Sequence, residues 1–265
     1  MIAVVIKNRI IPILLLQDGL LKKRINFLPE KTRTIANPVT IARVFEARKT
    51  DELILLDIGR TIDKGDIDSK LITQIAEELH MPFSYGGGID SIEKMTEVIT
   101  HGAEKVVLNT AAIENKILIT KGAEKFGSQC IVVSIDVVKK GNGSYEVVTK
   151  SGSKLTGLNP IIFAKEVEKL GAGEILVNAI HKEGTMEGMD LELIKSITKA
   201  VKIPVIATGG VGKEEDFIAG IIEGGASAVA AGSIFHYTHI TPNMVKEKMR
   251  EAGIPVRIQD PKSCY

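Results

Sequence analysis

Tryptophan is absent from this chain, and aromatic residues together make up only 4% of it. Any core built here is therefore aliphatic, and runs of valine, isoleucine and leucine suit parallel strands covered on both faces. Charge of one sign is also lacking: 34 basic and 33 acidic residues leave a formal net charge of +1. That balance gives no electrostatic reason to expect nucleic acid or a membrane surface as a partner. No apolar stretch reaches the roughly 18 residues of a membrane span, and residues 1–7 carry no cleavage signal. There are only two cysteines, Cys130 and Cys264, too far apart in sequence to form a metal-binding pattern. Cys130 is expected as a buried strand thiol and Cys264 as a tail thiol, in a reducing, cytoplasmic setting. No metal and no cofactor are expected. No linker rich in proline, glycine or serine divides the 265 residues, a length that single α/β barrels commonly reach.

What the chain does contain is a repeat. Pro82-Phe83-Ser84-Tyr85-Gly86-Gly87-Gly88-Ile89 is echoed about 120 positions later by Pro204-Val205-Ile206-Ala207-Thr208-Gly209-Gly210-Val211. Gly102-Ala103-Glu104-Lys105-Val106-Val107-Leu108-Asn109-Thr110 is echoed at nearly the same spacing by Gly225-Ala226-Ser227-Ala228-Val229-Ala230-Ala231-Gly232-Ser233. Eight short apolar runs, near residues 10–16, 53–58, 82–85, 105–108, 131–137, 175–178, 205–207 and 228–230, alternate with helix-like stretches. Pro38, Pro160 and Pro242 stand where a first helical turn tolerates proline. The pattern predicts an α/β fold, a single (β/α)8 TIM barrel over residues 1–265. Its half-barrels are expected near 1–125 and 126–258, with a short tail at 259–265. Two segments fall outside the alternation. Residues 17–37, with Lys22, Lys23, Arg24, Lys31 and Arg33, are expected as a long, lid-like loop. Residues 139–153 are expected as a hairpin-like excursion.

In such a barrel, reacting groups stand at the C-terminal ends of the strands. Glycines there let the backbone approach a ligand, and free N–H groups at the following helix favour phosphate. Gly86, Gly87 and Gly88, with Asn109 and Thr110, are the candidate cradle of the first half. Gly209 and Gly210, with Gly232 and Ser233, form that of the second. Two cradles at one mouth point to a long ligand with a phosphate at each end. Asp136, ending a strongly apolar strand, is the candidate acid or base, because desolvation raises a carboxyl pKa toward a useful range. Asp57 and its repeat mate Asn178 are candidates to position polar substrate groups, as are Glu183, Gly184 and Thr185. The repeat mate of Asp136 is Leu15, which cannot carry a proton.

Taken together, several of these segments resemble the cyclase subunit of imidazole glycerol phosphate synthase. They include Arg9-Ile10-Ile11-Pro12, Gly86-Gly87-Gly88-Ile89, Phe126-Gly127-Ser128-Gln129-Cys130, Gly171-Ala172-Gly173-Glu174-Ile175-Leu176 and Ser233-Ile234-Phe235-His236. The resemblance implies a barrel paired with a glutaminase subunit at its N-terminal face. Ammonia released by the glutaminase would cross the barrel interior and drive ring closure on a two-phosphate substrate. It also implies an ammonia gate of four charges, matched here by Arg9, Glu52, Lys105 and Glu174. Of the two catalytic aspartates it implies, Asp136 matches one and Leu15 stands in place of the other. Asn178 and Glu183 stand where threonine and aspartate are implied, Gly59 where a hydroxyl residue is, and Leu20 where a basic one is. Leu15 favours a divergent paralogue associated with nucleotide-sugar or surface-glycan amidation, passing ammonia to a sugar-modifying enzyme. The alternatives are a histidine-biosynthesis cyclase and a non-catalytic activator of a glutaminase.

Overall fold

The computed structural model describes residues 7–60 and 65–258. Cys264 and the tail 259–265 lie outside the described residues. Eight parallel strands close a barrel: β1 (Arg9–Gln17), β4 (Leu53–Asp57), β5 (Phe83–Gly86), β6 (Lys105–Leu108), β7 (Ile131–Lys139), β10 (Glu174–Ala179), β11 (Val205–Thr208) and β12 (Ala228–Ala231). β1 pairs with β12 through Arg9↔Ala228 and with β4 through Ile13↔Ile54, while Asp136↔Asn178 lies in the pairing of β7 with β10. Each apolar run read from the sequence is one of these strands, within two residues at either end.

Helices return the chain from strand to strand. They include α1 (Pro38–Ala47), α2 (Ser69–Ala76), α3 (Ile92–Thr100), α4 (Thr110–Glu114) and α5 (Ile117–Phe126) in the first half. The second half carries α6 (Pro160–Lys169), α7 (Leu191–Thr198), α8 (Glu214–Ile222), α9 (Ser233–Tyr237) and α10 (Pro242–Glu251). Their starts are set by local chemistry. Asn37, Asn159 and Thr241 cap helices whose first residue is proline, which needs no intrahelical partner there. α10 is tied back to the strand bottoms: the buried Lys246 ammonium lies 2.7 Å from Asp51, whose other oxygen accepts the Ile10 N–H at 2.9 Å.

Side chains on a strand alternate between faces. Ile10, Leu14, Leu53, Leu55, Phe83 and Tyr85 point outward into a core shared with the helices, where Phe45, Phe163 and Phe217 also pack. Ile11, Ile13, Ile54, Val107, Val132, Leu176, Ile206, Ala228 and Ala230 point inward and fill the barrel. The same period of two places Arg9 and Leu15 on the inner face of β1, at opposite ends.

Three expectations are revised. Residues 17–37 are not an irregular loop but mostly a β-hairpin, β2 (Leu20–Ile25) and β3 (Leu28–Thr34), continuing β1 through Leu16↔Leu21. Asp18 and Gly19 adopt φ of 55° and 72°, as a tight two-residue turn between twisted strands requires. Lys23 and Arg24, read as members of a basic loop, are buried. Cys130 lies in the short 3-10 turn Ser128–Cys130 before β7 and is partly buried, and burial pushes its thiol pKa up. The second excursion forms as expected: β8 (Tyr145–Thr149) runs antiparallel to β7, followed by a short β9 (Lys154–Leu155).

Candidate active site

Asp136 lies at the mouth of the barrel, near the C-terminal end of the parallel run of β7, and is 7% exposed. Its two oxygens are held from opposite sides. The Asn178 amide donates to Oδ1 at 3.2 Å, and the Asn109 amide donates to Oδ2 at 3.2 Å and to the Ser134 carbonyl at 3.1 Å. Burial raises the Asp136 pKa, and the nearby Glu183 charge adds to this. The Asn178 and Asn109 amides oppose it, and the balance stands at about 7. A carboxyl so poised can both give and take a proton near neutral pH.

Leu15 lines the same cavity as Asp136. That cavity, about 370 Å³, also carries Asp57, Gly87, Gly88, Asn109, Thr110 and Asn178. Asp57 accepts hydrogen bonds from the backbone of Gly59 (3.1 Å) and Arg60 (3.3 Å), and from Arg60 Nε (3.2 Å). Burial raises its pKa against the pull of Arg60. The paired glycines have a steric cause as well as an open backbone: a Cβ on Gly87 would come within 2.2 Å of the Asp57 carbonyl oxygen.

The second cradle is separate and much smaller. Gly184, Gly209, Gly210, Gly232 and Ser233 surround a space of about 10 Å³. Lys23, from the β2–β3 hairpin, occupies its edge and pairs with the buried carboxylate of Glu183. The Asn26 N–H donates to the Glu183 carbonyl at 2.8 Å, so the hairpin rests directly on the loop after β10. Two expected site residues face neither space. Thr185 donates its hydroxyl to the Lys182 carbonyl at 2.9 Å, and a Cβ on Gly86 would strike Val107 at 2.8 Å. Two residues of the mouth escaped sequence reasoning. Lys23 was legible only as part of a basic run. Arg60 carried one signal, a cation three positions after a strand-end aspartate.

At the opposite end of the barrel, Arg9, Glu52, Lys105 and Glu174 form a ring of alternating charge. Arg9 donates to Glu52 at 2.7 Å and also pairs with Glu174, while Lys105 donates to Glu52 at 2.9 Å and to Glu174 at 3.1 Å. Burial works against the Arg9 charge, yet Glu174 and Glu52 outweigh it and raise the Arg9 pKa. Ser84 donates to Glu52 at 2.9 Å. Between ring and mouth the interior is lined by the aliphatic residues of the inner core. Among the described residues, no helix is long and apolar enough to cross a membrane, and no cluster of three or more candidate ligands could hold a metal.

A closed parallel barrel with a poised carboxyl at its strand ends is the plan of a (β/α)8 enzyme subunit. The profile of the histidine biosynthesis protein family matches residues 9–241, and the chain belongs to that family. Among its relatives is the imidazole glycerol phosphate synthase subunit HisF of Thermococcus onnurineus (strain NA1). The two are 45% identical over 252 residues, covering 95% of this chain and 98% of the relative.

Proposed function

We propose that this chain is the ammonia-accepting barrel of a glutamine amidotransferase complex, delivering ammonia to a phosphorylated substrate at the strand C-termini. One observation carries the reading: the charge ring, the aliphatic interior and Asp136 lie in sequence along a single barrel axis. Arg9 to Leu15, Lys105 to Asn109, Val132 to Asp136 and Glu174 to Asn178 each run inward-facing from one end to the other. Neutral ammonia can traverse such an interior, whereas an ammonium ion would pay the full cost of desolvation. The ring suits a mouth that opens toward a glutaminase partner, since paired charges can exchange partners without leaving any of them bare.

The half-barrels near 1–125 and 126–258 each supply one phosphate cradle. Asp136 transfers protons at the substrate, with Asn109 and Asn178 fixing its orientation. Ring closure needs an acid and a base acting on different atoms, and Leu15 removes one of the two carboxyls a symmetric site would offer. Leu15 therefore supports a divergent paralogue, one that passes ammonia toward nucleotide-sugar or surface-glycan amidation by a sugar-modifying enzyme. A cyclase making imidazole glycerol phosphate and a non-catalytic activator of the glutaminase are the readings it competes with.

Purified protein, excess ammonium salt and the two-phosphate cyclase substrate separate them. The paralogue reading expects negligible turnover by the natural chain and measurable turnover by Leu15→Asp. Full turnover by the natural chain would establish the cyclase instead. No turnover by either would leave the activator role.

A further inference from the structure

The first-half cavity contains a cation with unspent hydrogen-bond donors. Arg60 follows β4 and is tethered to Asp57 through its backbone N–H and its Nε. Among the described residues, neither of its two outer nitrogens has a hydrogen-bond partner, and Nη1 packs against Gly65, where a Cβ would come within 2.6 Å of it. The side chain is 33% exposed and lines the cavity beside Gly87 and Gly88. The glycine turn is shaped around it, because a Cβ on Gly88 would come within 2.9 Å of the Arg60 Cβ. The other cations of this wall are differently placed. Lys94 is committed to the Gly88 carbonyl and to Asp90, each at 3.1 Å. Lys150 lies 3.9 Å from Glu114 on a flexible stem.

A second turn completes the rim of this cavity. Lys150 and Ser151 both adopt left-handed backbone, with φ of 52° and 54°, an arrangement that costs energy in residues other than glycine. It is held by the Lys150 N–H donating to the Thr110 hydroxyl at 3.2 Å and by the Ser151 hydroxyl reaching the Ile58 carbonyl at 3.4 Å. The turn carrying Ser151 thus joins the turn after β4 that carries Arg60 at the rim of the cavity.

We infer that Arg60 is a specificity-determining residue of this cavity, gripping the ligand's phosphoryl oxygens with its two outer nitrogens while the Gly87-Gly88 backbone closes on the same group. The planar guanidinium fork matches two oxygens of a phosphoryl group, which a lysine does not. Its tether to Asp57 fixes the side chain before the ligand arrives, which lowers the ordering cost of binding. This inference rests on the first-half turn being a phosphate cradle, as proposed above.

The test is a titration of the full-length chain with inorganic phosphate, followed by the backbone amide NMR signals of each cradle. In the natural chain, Gly87 and Gly88 are expected to shift, as are Gly209 and Gly210. In Arg60→Gln, half-saturation at Gly87 and Gly88 is expected to rise about tenfold, the loss of one charge-assisted contact, while Gly209 and Gly210 titrate as before. Arg60→Lys, which keeps the charge but not the fork, is expected to fall between them. Equal half-saturation at Gly87 and Gly88 in the natural chain and Arg60→Gln would overturn the role of Arg60 alone. Absence of any shift at Gly87 and Gly88 in the natural chain would overturn the first cradle together with it. Spectra that otherwise superpose show that the variants remain folded.

Discussion

The proposed chemistry rests on one side chain, Asp136. Its pKa stands at about 7 against an ordinary 3.8, so the fold favours the protonated form. The sign of the linkage follows from that. The stability it contributes is fully present below about pH 4 and is lost as pH rises through 7. Asp136→Asn is therefore expected to remove the ammonia-dependent turnover gained in Leu15→Asp, yet raise stability. The gain is on the order of 1–3 kcal/mol at pH 8 and close to zero at pH 4, measured by denaturant unfolding at the two pH values. Asn178 can accommodate the new amide, since its own Oδ1 is buried without a partner and the side chain can turn over. A loss of stability at pH 8 would show that Asp136 is charged and well compensated in the folded protein. Asp136, Asn109 and Asn178 were legible in the sequence because small polar residues ending apolar strands have few structural uses. Arg60 was not, because a lone cation after a strand looks like any exposed charge until its tether to Asp57 is seen.

The element that departs most from its sequence signature is the β2–β3 hairpin. Lys22-Lys23-Arg24 suggested part of a long, lid-like loop, whereas period-two geometry turns Lys23 inward to meet Glu183. The Asp18-Gly19 pair was the local clue, since such pairs favour hairpin turns. The strands themselves were plain, because burial on both faces leaves uninterrupted aliphatic runs. Lys23 and Glu183 are both buried, so removing either one leaves the other uncompensated. Lys23→Met is expected to cost about 3–5 kcal/mol. Adding Glu183→Gln should recover most of that loss in a double-mutant cycle followed by thermal unfolding. Additive losses would mean that the two charges do not depend on each other. The hairpin also explains why the two glycine cradles, alike in sequence, differ in volume. Lys23 and Gly184 narrow the second, while the turns bearing Arg60 and Ser151 leave the first wide.

The eight strands build a barrel whose two ends carry different side chains. One end closes with alternating charges and the other opens on a carboxyl, and a mainly aliphatic interior separates them, with Ser84 beside the ring and Ser134 below Asp136. The closure was legible from the eight alternating runs. The four charges of the ring were named in the sequence through the family resemblance, and strand register brings them to one level. Passage of ammonia through this interior is the central claim. It is tested most directly by isotope competition in the complex with a glutaminase partner, supplying amide-15N glutamine with an equal concentration of unlabelled ammonium. Channelling predicts a product nitrogen that remains predominantly 15N, and dilution toward the bulk ratio in Lys105→Met, where the ring has lost one of its two cations. A product at the bulk isotope ratio from the natural chain would contradict the channel.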